Sequence, residues 1–144
     1  MGNGMSPELK RLLAERRIMR TKPDRKLAEE ELKEARSDLA DAQDSLQRNK
    51  FKWATVQGYY SMFHSARALI FSRGFREKSH YALLIALKEI FRNELESSLI
   101  RAFEDGMNLR QEADYGLKFS EAGALDVVEN AEKFGEKARS ILKM

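Results

Sequence analysis

The sequence predicts an all-α domain, and three observations carry that prediction. The stretch Trp53 to Gly74, WATVQGYYSMFHSARALIFSRG, is apolar on two faces at helical spacing. Trp53, Val56, Tyr60, Phe63 and Ile70 lie along one row, and Tyr59, Met62, Ala66 and Leu69 along the next. A surface helix shows one apolar stripe of a little over ~100°, so this helix is expected to be central and covered on most sides. Second, Ala28, Leu32, Ala35, Leu39, Ala42 and Leu46 alternate by four and three, the seam spacing of a packed helix. Third, two prolines and eight glycines in 144 residues leave room for long uninterrupted helices.

Taken in order, Ser6 and Pro7 suit the start of a first helix over residues 6 to 20, with Leu9, Leu12, Leu13 and Ile18 too few to demand a place in the core. Pro23 interrupts it and starts the second helix. Arg48 to Lys50 makes a short polar turn, so the second helix and the central one are antiparallel neighbours. Gly74 suits a left-handed helix end, with Arg73 in the last turn. Phe75 to Lys78 is a basic connection, and Ser79 caps a helix that turns Leu83, Leu84, Leu87, Ile90 and Phe91 inward. A further helix runs from Ser98 through Tyr115, carrying Leu99, Ala102, Phe103, Leu109 and Ala113 inward and ending at Gly116. Ser120 and Glu121 open the last one, whose apolar face is Leu125, Val128, Ala131, Phe134, Ala138 and Ile141.

Composition narrows the class. The chain is 42% hydrophobic and 34% charged, without the bias of a disordered segment. It has no cysteine, hence no disulfide framework and no thiolate ligand or nucleophile. No run approaches the ~18 apolar residues of a membrane span, and Met1 to Ser6 does not resemble a signal peptide. A soluble, cytoplasmic domain is the expectation. The net charge of +3 is unevenly spread: residues 1–26 carry eight basic residues against three acidic, a net +5, and the remainder 18 against 20. A basic extension over 1–26 on a near-neutral body over 27–144 reads either as a phosphate-binding footprint or as a solvated leader helix.

Motifs exclude more than they assign. His64 and His80 are the only histidines, and neither has a carboxylate or second histidine at local ligand spacing, so no metal site or cofactor is expected. No nucleophile elbow and no phosphate-cradling glycine loop occurs. The most distinctive polar group is Arg110-Gln-Glu-Ala-Asp114-Tyr115. Arg110 and Asp114 share a helix face. With the phenol of Tyr115 they could grip a phosphate and take part in proton transfer, or form an ordinary ion pair at a helix end.

The segments GYYSMFHSARALI (Gly58 to Ile70), KSH (Lys78 to His80), RQEADY (Arg110 to Tyr115) and the final AEKF (Ala131 to Phe134) occur in this order. Together they resemble the HEPN family, the higher eukaryotes and prokaryotes nucleotide-binding domain. The resemblance implies an up-and-down bundle of four to five antiparallel helices, here with an extra basic N-terminal helix, that pairs as a homodimer. It also implies a toxin–antitoxin or defence role, often beside a minimal nucleotidyltransferase, with RNA or a nucleotide as ligand. Many members are metal-independent RNases with an arginine and a histidine spaced R-x(4–6)-H. Here Tyr115 stands five residues after Arg110 and no histidine follows, so the chain departs from that chemistry. The expectation is a nucleotide- or nucleic-acid-binding component, with an RNase using Arg110, Asp114, Tyr115 and His64 as the alternative. An ordinary tyrosine, with a pKa near ~10, is a poor base at neutral pH. His64 supplies the base if the fold brings it beside Arg110, and otherwise bonds within the bundle. Arg67, Arg73, Arg76, Lys78 and His80 are the further candidates for phosphate contact. In some family members a tyrosine just after the arginine motif accepts AMP from the partner, which gives Tyr115 a second candidate role.

Overall fold

A computed structural model describes residues 5–144. Its elements are α1 (Pro7–Ala14), β1 (Ile18–Arg20), α2 (Arg25–Gln47), α3 (Phe51–Ser72), β2 (Phe75–Glu77), α4 (His80–Ile90), α5 (Ser97–Gln111), a π-helical turn (Glu112–Gly116) and α6 (Glu121–Leu142). The helix starts follow the local chemistry. Ser6, Asp24, Ser79 and Ser120 each accept a hydrogen bond from the backbone N–H three residues on, at 3.1, 2.9, 3.0 and 3.0 Å. Those bonds satisfy donors that a helix terminus otherwise leaves open.

The centre of the molecule is α3. Ala54, Tyr59, Met62, Ala66, Leu69 and Ile70 have no exposure at all. Helix α2 packs antiparallel along one side: Ser61 Oγ donates to the Ala35 carbonyl at 2.8 Å, and the Gln57 amide N–H donates to Ser45 Oγ at 2.7 Å. The alanines of the α2 seam, Ala28, Ala35 and Ala42, are buried against it, which lets the two backbones approach closely. On another side Gly58 faces Val127 and Val128, and Gly135 of α6 faces Ser65, so α6 runs parallel to α3. A Cβ on Gly58 would sit 2.9 Å from Val127 Cγ1, so only glycine permits this approach. Phe91, Phe103 and Phe134 complete the core without exposure. Burial of each such side chain contributes roughly 1.5–3 kcal/mol.

Several expectations are corrected. The leader helix stops at Ala14 rather than Arg20; Arg16 turns the chain at φ 60° and Ile18–Arg20 becomes a strand. That strand pairs antiparallel with Phe75–Glu77, the segment expected to be a plain connection, in the register Ile18↔Glu77, Met19↔Arg76, Arg20↔Phe75. Leu9, Leu12 and Ile18 are 4%, 1% and 1% exposed, so these few apolar residues do enter the core. They cover α4, whose apolar face α3 and α5 leave partly open. At the other end Trp53 is 49% and Leu125 47% exposed, so neither belongs to the core row assigned to it. The fourth long helix ends in a π turn, and the left-handed residue is Leu117 (φ 54°), not Gly116.

Gly74 closes α3 at φ +83°, and its N–H and carbonyl bond Phe71 and Thr21. A Cβ there would lie 2.5 Å from the Thr21 carbonyl oxygen, so the turn that admits β1 beside β2 needs glycine. Gly74→Ala is expected to lower stability by about 2 kcal/mol or more, combining left-handed backbone strain with displacement of the β1 segment. Urea denaturation of the variant beside the parent measures it, and an unchanged midpoint would contradict this account of the turn.

Candidate functional site

Arg110 sits in the last turn of α5, only 9% exposed, an unusual burial for an arginine. Its guanidinium lies 5.5 Å from the ring centres of both Tyr59 and Tyr60 on α3. It reaches Asp114 Oδ2 at 3.4 Å, a long and weak contact within one helix turn. The Nε of Arg110 is buried with no hydrogen-bond partner. The guanidinium thus lies beside two aromatic rings with donor capacity unused.

The second component comes from α4. Ser79 caps that helix, so His80 enters at its first position and its ring turns back onto α3. Tyr59 Oη and His80 Nδ1 are 2.6 Å apart, and the Phe63 ring lies 4.7 Å from the imidazole between ring centres. Burial, then the positive charges of Arg110 and Arg67, hold the His80 pKa below its ordinary value. Burial pushes the Tyr59 phenol well above its ordinary value. A neutral imidazole facing a firmly protonated phenol accepts at Nδ1, which places the ring proton on Nε2. His80 in this tautomer is a donor, suited to a phosphate oxygen.

His64 does not stand beside Arg110. It faces α2, with Nδ1 at 2.8 Å from Glu31 Oε1 and Nε2 at 3.6 Å from Asp38 Oδ2. Glu34, Asp38 and His64 form a cluster whose side-chain ligand atoms lie within 4.8 Å of one another. Burial and the neighbouring Glu34 carboxylate push Asp38 up to about 6. Sequence spacing missed this group because its members come from two helices that only packing brings together.

Arg67 lies one turn beyond His64 and fills the space between the two regions. Its guanidinium is 3.0 Å from Glu77 and 3.7 Å from Glu31, and stacks at 4.9 Å on Phe71. Glu77 is nearly enclosed, and its Oε1 has no hydrogen-bond partner. Burial raises its pKa against the opposing charge of Arg67. Arg73 is committed elsewhere, 2.7 Å from Glu94 and stacked on Phe91 at 4.3 Å. Arg76 and Lys78 are exposed on β2 and just beyond it, and Tyr115 is 77% exposed at the end of α5.

The structure therefore joins Arg110, Asp114 and His80 through Tyr59 and Tyr60, and sets His64 with Arg67 in a separate, acid-rich group. Tyr59, Glu77 and the α2 carboxylates Glu31, Glu34 and Asp38 are residues to which the sequence assigned no site role. The Gly58-Tyr59-Tyr60 run was the available signal for Tyr59, though its phenol partner lies 21 residues away. Among the described residues, no helix is long and apolar enough to cross a membrane.

Comparison with known proteins agrees with this architecture. A solved structure from Thermus thermophilus, TT1696, superposes with a TM-score of 0.66 over 78% of this chain and 96% of that one, at 18% identity, which speaks to the fold alone. A Methanocaldococcus jannaschii protein that carries the name "Putative toxin MJ0605" is 30% identical over 112 residues, 76% of this chain and 84% of that protein. An Archaeoglobus fulgidus protein named "UPF0332 protein" is 30% identical over 117 residues, 76% of this chain and 90% of its own length. The model of the HEPN domain family matches residues 28–144, from the α2 seam to the C-terminus. The four-motif order, the helical bundle around α3 and this match together establish that the chain belongs to the HEPN domain family.

Proposed function

We propose that the protein binds the phosphate of a nucleotide or of RNA at Arg110 and His80, and serves as the HEPN component of a toxin–antitoxin-type pair with a nucleotidyltransferase. The observation that carries this reading is the buried Arg110 guanidinium, set 5.5 Å from the ring centres of Tyr59 and Tyr60 with Nε unpaired. Arginine presents a planar fork of donors that matches phosphate oxygens two at a time. His80 Nε2–H adds a neutral donor, and Tyr60 and Phe63, both half-buried, offer ring faces for a base. The names of two relatives, "Putative toxin MJ0605" and "Putative toxin MJ0142", support a toxin-like setting.

Binding is favoured over cleavage because the candidate bases are engaged. His80 commits its lone pair to Tyr59, and His64 is held by Glu31 on the α2 side. A metal-independent RNase is the second reading, since His80 stands two aromatic rings from Arg110 and is neutral near pH 7. That chemistry requires the Tyr59–His80 bond to open, freeing Nδ1 to take the proton of a 2′-hydroxyl. Arg110→Ala is expected to weaken binding of AMP or a short RNA by roughly tenfold to a hundredfold, the worth of a charged hydrogen bond. Calorimetric titration measures that loss, and unchanged affinity rejects Arg110 as the phosphate anchor. Total RNA incubated with the protein in EDTA, with and without Arg110→Ala, separates the two readings: cleavage lost in the variant establishes the RNase.

The protein also pairs as a homodimer in this proposal. Trp53, Tyr115, Leu117, Phe119 and Leu125 expose apolar surface around the end of α5 and the starts of α3 and α6. A two-fold pair formed there covers that surface and sets the two Arg110 sites toward each other. Multi-angle light scattering at tens of micromolar is expected to give twice the chain mass, and a monomer would contradict the pairing.

Tyr115 is proposed as the acceptor of AMP from the partner transferase. Its phenol is exposed on the turn after Arg110, so the hydroxyl is reachable while the arginine balances the incoming phosphate. Transfer to the phenol oxygen from ATP forms an AMP ester there and releases pyrophosphate. Co-expression with the partner transferase followed by intact-mass analysis is expected to show one AMP-sized increase, absent in Tyr115→Phe. An increase that persists in the variant assigns the acceptor elsewhere.

A further inference from the structure

Residues 5–26 lie outside the family match, which starts at residue 28, yet they build a surface of their own. Strand alternation sorts the β1–β2 ribbon into two faces. Ile18 and Glu77, opposite each other, point inward: Ile18 is 1% exposed and the Glu77 side chain 6%. The residues between and beyond them point out. On one strand these are Arg17 and Met19, and on the other Arg76 and Lys78, with Met19 opposite Arg76. The ladder continues past the strand ends, since the Lys78 N–H donates to the Arg17 carbonyl at 2.9 Å. Arg16 and Lys22 flank the ribbon and are exposed, as is Arg20, which shares the face of its partner Phe75 and reaches solvent at the ribbon's end.

The carboxylates that could neutralise these charges are already engaged. Glu8 and Glu15 pair with Arg11, at 2.6 and 3.3 Å. Glu77 faces inward to Arg67, and Asp24 caps α2. Among the described residues Arg16, Arg17, Arg20, Lys22, Arg76 and Lys78 have no ion-pair partner. Arg20 and Arg76 instead stack on Phe75 and Phe71, at 5.3 and 4.9 Å, which stiffens them without reducing their charge. Six cations on one ribbon repel one another, and that is an arrangement suited to a polyanion. Lys78 is two residues before His80, so the ribbon leads into the site on α3, α4 and α5.

We infer that the outer face of the β1–β2 ribbon is a track for the sugar–phosphate backbone of single-stranded RNA, extending the Arg110–His80 site beyond one nucleotide. The inference rests on the proposed phosphate site only for where the strand ends. Cross-strand neighbours on such a ribbon are about 5 Å apart, a spacing at which cations can follow successive phosphates. An anionic membrane surface is a poorer match, because the outer face offers Met19 alone for insertion, where interfacial segments present a row of apolar residues.

The test uses the full chain and a fluorescently labelled twelve-nucleotide single-stranded RNA, with affinity measured by anisotropy at several salt concentrations. The triple variant R17Q/R76Q/K78Q is expected to bind at least tenfold more weakly. Its salt slope should fall by about 2, from three lost phosphate contacts at ~0.7 each. Because Arg76 touches Phe71, R16Q/R17Q/K22Q is measured alongside, and thermal melts confirm that both variants fold. AMP binding should be unchanged in R16Q/R17Q/K22Q, whereas R110A should lose AMP but keep most of the salt-dependent RNA affinity. That contrast separates failure of the track from failure of the phosphate site. The variant K88Q/R92Q/R101Q, which removes three charges from the groove between α4 and α5, controls for net charge. The track is overturned if the parent does not bind the RNA, if the ribbon variants bind it as the parent does, or if the control loses as much. It is equally overturned if polyglutamate of matched charge competes as well as the RNA, which would assign the ribbon to an acidic protein.

Discussion

Everything in this molecule depends on how closely other elements approach α3. The Ala28, Ala35 and Ala42 seam lets α2 lie against it, and Gly58 lets α6 do the same at a distance that one methyl group would block. Close approach raises the density of contacts, which is where dispersion and burial contribute most. It also leaves little volume for side chains between the helices. Several polar groups on α3 are satisfied within this packing, Thr55 by the Phe51 carbonyl, Ser61 by Ala35 and Tyr59 by His80, whereas the buried Ser65 hydroxyl has no partner.

That constraint produces two chemically distinct regions on one helix. Toward α4 and α5, α3 presents Tyr59, Tyr60 and Phe63, and the aromatic faces hold a cation, Arg110, and a neutral imidazole, His80. Toward α2 it presents His64 and Arg67, which meet the acidic residues Glu31, Asp38 and, from β2, Glu77. The first region keeps donor capacity free and the second uses its charges internally. A buried ion pair is a weak contributor to stability once desolvation is counted. The Arg67 group ties α3 to α2 through Glu31 and to β2 through Glu77.

The N-terminal segment adds to the bundle by a different mechanism. Its helix is short, and an eight-residue helix is marginal on its own. It persists because Leu9 and Leu12 bury against α4 and because β1 gains a ladder with β2. The left-handed turn at Gly74 makes room for that ladder. One glycine thus ends the central helix and admits the extension, and the repulsion within the charged ribbon is offset by the apolar residues beneath it.

The sequence by itself determined the helical class, the helix starts at Ser6, Ser79 and Ser120 and the α2–α3 hairpin, because caps and apolar periodicity act over a few residues, while α2 starts after Asp24 rather than at Pro23. It also determined the family, since GYYSMFHSARALI and RQEADY are local strings matched over residues 28–144. Arg110 was legible as a candidate because it opens such a string. Its environment was not. His80, rather than His64, joins it, because the helix caps fix where α4 begins but only packing fixes which way its first residue turns. The β1–β2 ribbon was hidden for a related reason: three-residue strands carry almost no periodic signal, and their pairing spans more than 50 residues of chain. Trp53 and Leu125 satisfied the helical pattern yet lie exposed, since periodicity assigns a face and only the neighbouring elements decide whether that face is covered.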